Sequence, residues 1–410
     1  MKKHINKTQW LLFLLFFHLT SQAQIDSSLF KTKQKDTIQK MNMDAVYDRP
    51  FLGNNSSKIA IGGYAEVNWQ HLGTDGITEG HQFEMRRMTL FIASGIGNRI
   101  KFLSELELED GGKSLAIEFA AIDIEIHALM NLRGGIILNP IGAFNQNHDG
   151  PKWEFTDRPI VSTQILPATW SNAGFGLFGK KYKNNWMLGY EIYVSGGFDN
   201  SIIDNTQGRT HLPASKNNPN RFESTSSGLP MYTAKVAVKH RQFGEIGLSY
   251  MGGTYNTFKQ EGMTIAEQKR AHVFAIDLNA QFKYKTKIIG EMVYVSVQIP
   301  NNYLPAYGSN QIGSFLDIVQ PIYNQPLWVW QKAVINLALR LEYADWNTNT
   351  LTENKHKIGD ELWSIMPGLS LHPYPQTVIR LNYRYQHQYD FLNNPASKTA
   401  GFNLGISSYF

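Results

Sequence analysis

From Lys58 to the end of the chain, apolar and polar side chains trade places with a period of two, and no segment there supplies a long unbroken apolar run. That pattern is the tightest constraint on the fold. A β-strand sends successive side chains to opposite faces, so period two predicts strands with one apolar and one polar face. In 334–343 (VINLALRLEY), Ile335, Leu337, Leu339, Leu341 and Tyr343 share a face opposite Asn336, Arg340 and Glu342. In 378–389, Ile379, Leu381, Tyr383 and Tyr385 stand against Arg380, Asn382 and Arg384. The stretch 272–283 sets Phe274, Ile276, Leu278 and Phe282 against Asp277, Asn279, Gln281 and Lys283. In 99–109, Ile100, Phe102, Leu106 and Leu108 oppose Lys101, Glu105, Glu107 and Glu109.

A soluble sandwich alternates too, so the strands' company decides the class. Many are about ten residues long or more, the length a transmembrane strand needs. Aromatics recur near their ends: Tyr64, Trp69, Trp186, Trp328, Trp330, Tyr343, Trp346, Trp363, Tyr374 and Tyr409. Outer-membrane barrels carry aromatic girdles at both interfaces. Connections alternate between short ones, such as GIGN (95–98) and HPYPQ (372–376), and long ones near 139–172 and 199–229. The expectation is an all-β transmembrane antiparallel barrel of about 16 strands over 58–410, with long extracellular loops and short periplasmic turns. Its least secure strand is the twelfth, near Ile312–Gln320, followed by an unusually long proline-rich turn, PIYNQP. Within 115–127, Glu118 shares parity with Ile122, Ile124 and Ile126, which requires a bulge or twist.

Residues 1–23 read as a secretory signal: Lys2, Lys3 and Lys7, then the apolar run Trp10 to Leu19, then Ser21-Gln22-Ala23. Loss of those three lysines lowers the formal charge from +5 to +2, so the basic balance gives no argument for nucleic acid. The absence of cysteine rules out a disulfide scaffold, a thiolate metal site and a lipid-modified cysteine. Residues 24–57 are polar and lysine-rich, and read as a flexible periplasmic lead or a segment tucked into the lumen. The final strand places Phe402, Leu404, Ile406 and Phe410 on one face. This is the expected closing strand, and it resembles the terminal signal read by the barrel-assembly machinery.

Four stretches resemble the phosphate-selective porin O/P family: FEMRRMTLFIASG (83–95), LRGGIILNPIG (132–142), KAVINLALRLEYADWN (332–347) and PGLSLHPYPQTVIRLNYRYQH (367–387). The resemblance covers about Lys58 to Phe410. It implies a 16-stranded barrel in outer-membrane lipid, commonly a homotrimer, with one loop folded into the pore. The family's phosphate selectivity rests on a lumenal arginine ladder and lysine cluster. Here the positions assigned to the lumen hold both signs: Lys101, Glu105, Glu107, Lys235, Lys239, Lys283, Arg340, Glu342, Arg380 and Arg384 among them. Opposite charges close together largely cancel, so a weak charge filter is expected.

The loop 139–172 follows strand five, where the resemblance puts the constriction. Its candidate lining groups are His148, Asp149, Lys152, Glu154, Asp157 and Arg158, joined by Arg133 on the strand leading in. Charged groups in a narrow passage set which ions enter. His148-Asp149 also suggests a base and its orienting acid, with Ser162 and Ser171 nearby, but no G-x-S-x-G elbow accompanies them. ELELED (105–110) reads as a solvated lumen face, and no metal or cofactor motif stands out. The chain is therefore expected to be no enzyme but a passive channel for small hydrophilic solutes and ions. The alternatives are a phosphate- or anion-selective pore, and a non-conducting receptor or barrel enzyme.

Overall fold

The computed structural model describes residues 40–53, 59–351 and 356–410. The signal segment lies outside them. Sixteen long strands form the wall: β1 (Ile59–Thr74), β2 (Gln82–Ile96), β3 (Ile100–Glu109), β4 (Ser114–His127), β5 (Met130–Leu138), β6 (Ser171–Lys183), β7 (Trp186–Ser195) and β8 (Met231–His240). The second half is β9 (Gly244–Thr254), β10 (Arg270–Gln281), β11 (Lys287–Val297), β12 (Asn310–Asn324), β13 (Val334–Asp345), β14 (Glu361–Tyr374), β15 (Thr377–Gln388) and β16 (Ser397–Tyr409). Each pairs antiparallel with the next, and β16 pairs with β1 from Tyr64↔Tyr409 to Thr74↔Thr399. Phe410 N–H donates to the Gly63 carbonyl at 3.0 Å and sews the seam at its end. A closed sheet leaves no unpaired edge to face hydrocarbon.

The two faces carry opposite chemistry. Leu337 is 54% exposed on the outside, while Arg340 on the same strand is wholly buried inside. Phe274, Ile276, Leu381 and Tyr383 are likewise exposed, and Asp277 and Arg380 buried. That inverts a soluble protein and is the arrangement of a wall bathed in lipid. Phe402, Leu404, Ile406 and Phe410 all face outward, as the alternation requires. Among the described residues no helix is long and apolar enough to cross a membrane.

Two bulges matter for the interior. Between β3 and β4 the register slips at Glu118, and both Glu118 and Phe119 point inward, which resolves the parity conflict in the sequence. Between β1 and β2, Glu66 faces Arg87 while Val67 faces Met85, which leaves Arg86 as the extra residue. Neighbours on a regular strand face opposite ways, but this bulge brings Arg86 and Arg87 to the same side.

Three expectations need correction. β12 runs on through Pro321 to Asn324, with a register slip between Pro321 and Tyr323, so most of PIYNQP is strand. The turn proper is tight, closed by Leu327 and Trp330, with Trp328 82% exposed at its tip. Tyr64 and Trp346 are buried inside and Tyr409 bonds a lumenal carboxylate, so these three are not girdle residues. Lys283 lies exposed in the β10–β11 turn, outside the lumen wall.

The β5–β6 connection and residues 40–53 both fold inside. On the β8–β13 side the connection meets an apolar inner face that includes Ala271, Val273, Val293 and Val295.

Candidate functional site

The loop leaves β5 at Leu138 and rejoins the wall at Ser171. Its neck is closed by polar bonds. The Asn139 N–H donates to the Trp170 carbonyl at 2.9 Å, and the Asn145 amide bridges Asn139 and Trp170 at 2.7–2.8 Å. Beyond the neck, Ile141, Phe144, Trp153, Val161, Ile165 and Trp170 bury themselves against the apolar inner face. A short π-type turn, Val161–Ile165, sits over Gly313, where a Cβ would lie 2.6 Å from Ile165. Glycine on β12 thus makes room for the loop.

Such a loop must satisfy its own backbone away from water. The wall does this with charged side chains sorted by sign. Cations take carbonyls. Lys235 donates to Gly142 at 2.8 Å, Arg340 to Asp157 at 2.6 Å, and Arg380 to Gly150, Trp153 and Phe155 at 2.8–3.2 Å. Carboxylates take N–H groups. Glu291 accepts from Ala143 and Phe144 at 2.8 and 3.2 Å, and Glu342 from Ile160 at 2.8 Å. Charge-assisted bonds of this kind are short and strong.

The loop's own charged residues are equally engaged. His148 shares a 2.8 Å bond with Glu105, and its other ring nitrogen bonds the Asn145 carbonyl at 2.8 Å. Burial pulls the imidazole down, but the Glu105 carboxylate more than offsets this and holds His148 above its ordinary range. Asp149 accepts from Arg49 at 2.9 and 3.0 Å and from Tyr409 at 2.7 Å, with Lys152 3.3 Å away. Glu154 meets Ser370 and His372; burial pushes its carboxyl up, and the hydrogen bond from His372 holds it down at about 2. Asp157 collects Arg86 at 2.7 Å, Arg384 at 3.0 Å and Asn403 at 2.9 Å. Arg158 reaches Glu107 at 3.2 Å, where Arg87 already sits at 3.0 Å.

These placements revise the picture of a charge-lined bore. Arg133 does not join the loop: it clamps Asp123 through two 2.7 Å bonds beside Tyr47. Every position nominated for the lumen filter other than Lys283 touches an insert instead of standing alone on the wall. Glu105, Glu107, Lys235, Arg340, Glu342, Arg380 and Arg384 hold the loop, while Lys101 lies over the Tyr47 ring and Lys239 bonds the Lys40 carbonyl. The reason is geometric. A loop threaded through the lumen brings its backbone polar groups within reach of the inward-facing charges.

Sequence reasoning missed Glu66, Glu291, Asp317 and Arg49. Glu66 bonds Arg87 and Arg380, and Asp317 accepts from Nε and Nη2 of Arg340 at 2.7 Å. The period-two rule could have found all three acids, since each sits at an inward position of its strand. Arg49 carries no such signal.

The ligand atoms of Glu105, Glu107 and His148 lie within 4.8 Å of one another, a spacing compatible with a metal ion. Arg49 on Glu105 and Arg87 and Arg158 on Glu107 already supply the opposing positive charge. Of the groups considered for catalysis, His148 bonds Glu105 at 2.8 Å and lies 3.8 Å from Asp149, while Ser162 bonds Glu291 at 3.2 Å.

At the short-turn end a cavity of about 800 Å³ opens beneath the loop. Lys40, Lys152, Lys285, Lys287 and Lys332 line it, against Asp48 and Glu154.

No family model matches the chain. It is 28% identical over 206 residues to an uncharacterized protein of Aquifex aeolicus, a match spanning 48% of this chain and 45% of that protein, so the chain spans less than half the length of this relative. Among solved structures it resembles the outer-membrane channel DcaP of Acinetobacter baumannii (TM-score 0.52, 13% identity, 86% of this chain and 97% of that one). It also resembles the anion-selective porin from Comamonas acidovorans (TM-score 0.51, 12% identity, 86% and 99%). A third is Salmonella typhi OmpF, solved in complex with daunomycin (TM-score 0.51, 8% identity, 86% and 98%). At these identities the likeness is one of fold: the chain has the architecture of outer-membrane barrels.

Proposed function

We propose that this protein is an outer-membrane porin, a passive diffusion channel for small hydrophilic solutes and ions. The observation that carries the reading is the β5–β6 loop, threaded into a 16-stranded barrel and pinned there by buried charges of the wall. A wall of this strand number encloses a water-filled bore unless something narrows it. The loop does the narrowing, and its backbone anchors keep the narrowing rigid. Solutes then cross down their own gradients, sorted by size and by the charges left facing water. No turnover or cofactor enters.

A second reading keeps the same channel and gives it an anion preference, phosphate included, in line with the family resemblance. The lysine-rich cavity at the short-turn, periplasmic end supports it: five lysines face two carboxylates there. A field of one sign at a narrow mouth raises the local concentration of the opposite ion.

Single-channel recording in a planar bilayer under a salt gradient separates these readings. Discrete steps with a reversal potential near zero support the general pore. A strongly anion-selective potential, with current blocked by phosphate, supports the second reading. Absence of steps from correctly folded barrel removes both.

A further inference from the structure

The loop is not the only insert. Residues 40–53 also lie in the lumen, and the inner wall is shaped to receive them. Phe51 stacks on Phe91 with ring centroids 5.7 Å apart, over a position where Gly62 leaves room: a Cβ there would lie 2.5 Å from the Phe51 ring. Gly189 does the same for Met43, whose sulfur would be 2.8 Å from an added Cβ. Val46 and Leu52 pack with Leu103, Phe119 and Ala121, all at most 5% exposed. Those wall residues belong to an inner face that a wet bore would make polar. Their apolar character makes sense only under a permanent cover.

Polar contacts fix the segment's register. Asn42 N–H donates to Glu245 at 3.0 Å, Lys180 pairs with Asp44 at 2.6 Å, and Tyr47 bonds Asp123. Arg49 ties the two inserts together. Its guanidinium is wholly buried, lies 3.6 Å over the Phe91 ring, and bonds Glu105 of the wall at 2.6 Å and Asp149 of the loop at 2.9 Å. A cation removed from water is tolerated when carboxylates and a ring face surround it.

We infer that residues 40–53 are a second constriction element, docked in a groove of the inner wall, and that they set the channel's size limit jointly with the loop through the Arg49 hub. The inference rests on the porin reading and adds a residue-level determinant of selectivity to it. A chain segment with its side chains is about 10 Å across, a large share of the width such a barrel offers. Deleting it should raise conductance at least about twofold and admit larger solutes.

Two measurements test this. In the first, full-length protein and a variant lacking residues 40–53 are compared by single-channel conductance, each checked for a folded barrel by heat-modifiable mobility. A rise in conductance supports the inference. Equal conductance in two folded proteins overturns it and leaves the porin reading standing. Silence from both overturns the porin reading and the size-limit role with it. The second uses the absence of native cysteine. Asp44→Cys combined with Lys180→Cys, positions whose side chains meet at 2.6 Å in the native barrel, should be bridged there by a short bifunctional thiol reagent. Failure to cross-link in a folded barrel shows that the segment does not dock there, whatever the conductance.

Discussion

The two sides of the lumen hold the same loop by different means. On β10 and β11 the inner face presents Val273, Val293 and Val295, none of them exposed, and the loop meets them with Ile141, Val161 and Ile165. On β1, β3 and β15 it presents Glu66, Glu105, Glu107 and Arg380, and the loop meets them with His148, Arg158 and its own carbonyls. The first contact is dry and non-directional. The second depends on charge state and on geometry within a few tenths of an ångström. The apolar contact therefore holds the loop whatever the charge state of the ionic side.

The largest effect tests the ionic side. Arg380→Ala removes three loop carbonyl contacts and leaves Glu66 with Arg87 as its remaining partner. Breaking a buried pair costs about 3–5 kcal/mol. The variant should lose thermal stability of the barrel and show larger, noisier current steps. Ile165→Ala probes the apolar side, where truncation of a buried isoleucine costs about 2–4 kcal/mol. It should lower the unfolding temperature while conductance and ion selectivity stay close to those of the parent. If Ile165→Ala raised conductance as much as Arg380→Ala, the distinction between a sealed side and an ionic side would collapse.

A smaller effect follows from His148. Its pKa is raised in the fold by Glu105 despite burial. The stability it contributes is therefore fully present below the unfolded value near 6.5 and is lost as pH rises through the folded pKa. Current fluctuations should grow as the pH is taken from neutral to alkaline, and His148→Gln should flatten that dependence. A pH response that survives His148→Gln would assign it elsewhere. The smallest effect is at Lys40–Asp48, a pair whose side chains are 45% and 49% exposed. Lys40→Ala should change stability by no more than about 0.5 kcal/mol.

The wall was legible in the sequence because its rule is local. Leu337 out and Arg340 in follow from period two alone, and the misfit of Glu118 announced its own bulge. Arg86-Arg87 was visible as a motif, but nothing local says that a bulge turns both arginines inward. Alternation also gave the inward charges without their partners. It reads Arg340 as lining water, when a loop carbonyl and Asp317 have already taken its donors. Residues 40–53 were hardest, since they belong to the stretch 24–57, whose polar, lysine-rich beginning looks like a linker. Their signal lay elsewhere: Leu103 shares a face with Glu105 and Lys101, and an apolar residue on the wet side asks what covers it.

The most direct test of a loop-narrowed diffusion channel is solute permeation. Liposomes carrying the refolded protein would be challenged with neutral sugars of increasing size, and the rate of swelling recorded. The account predicts entry of the smallest sugars with a steep fall as size grows, and a cut-off moved upward in Arg380→Ala. Liposomes that admit no sugar or ion, although the barrel is folded and inserted, would contradict it.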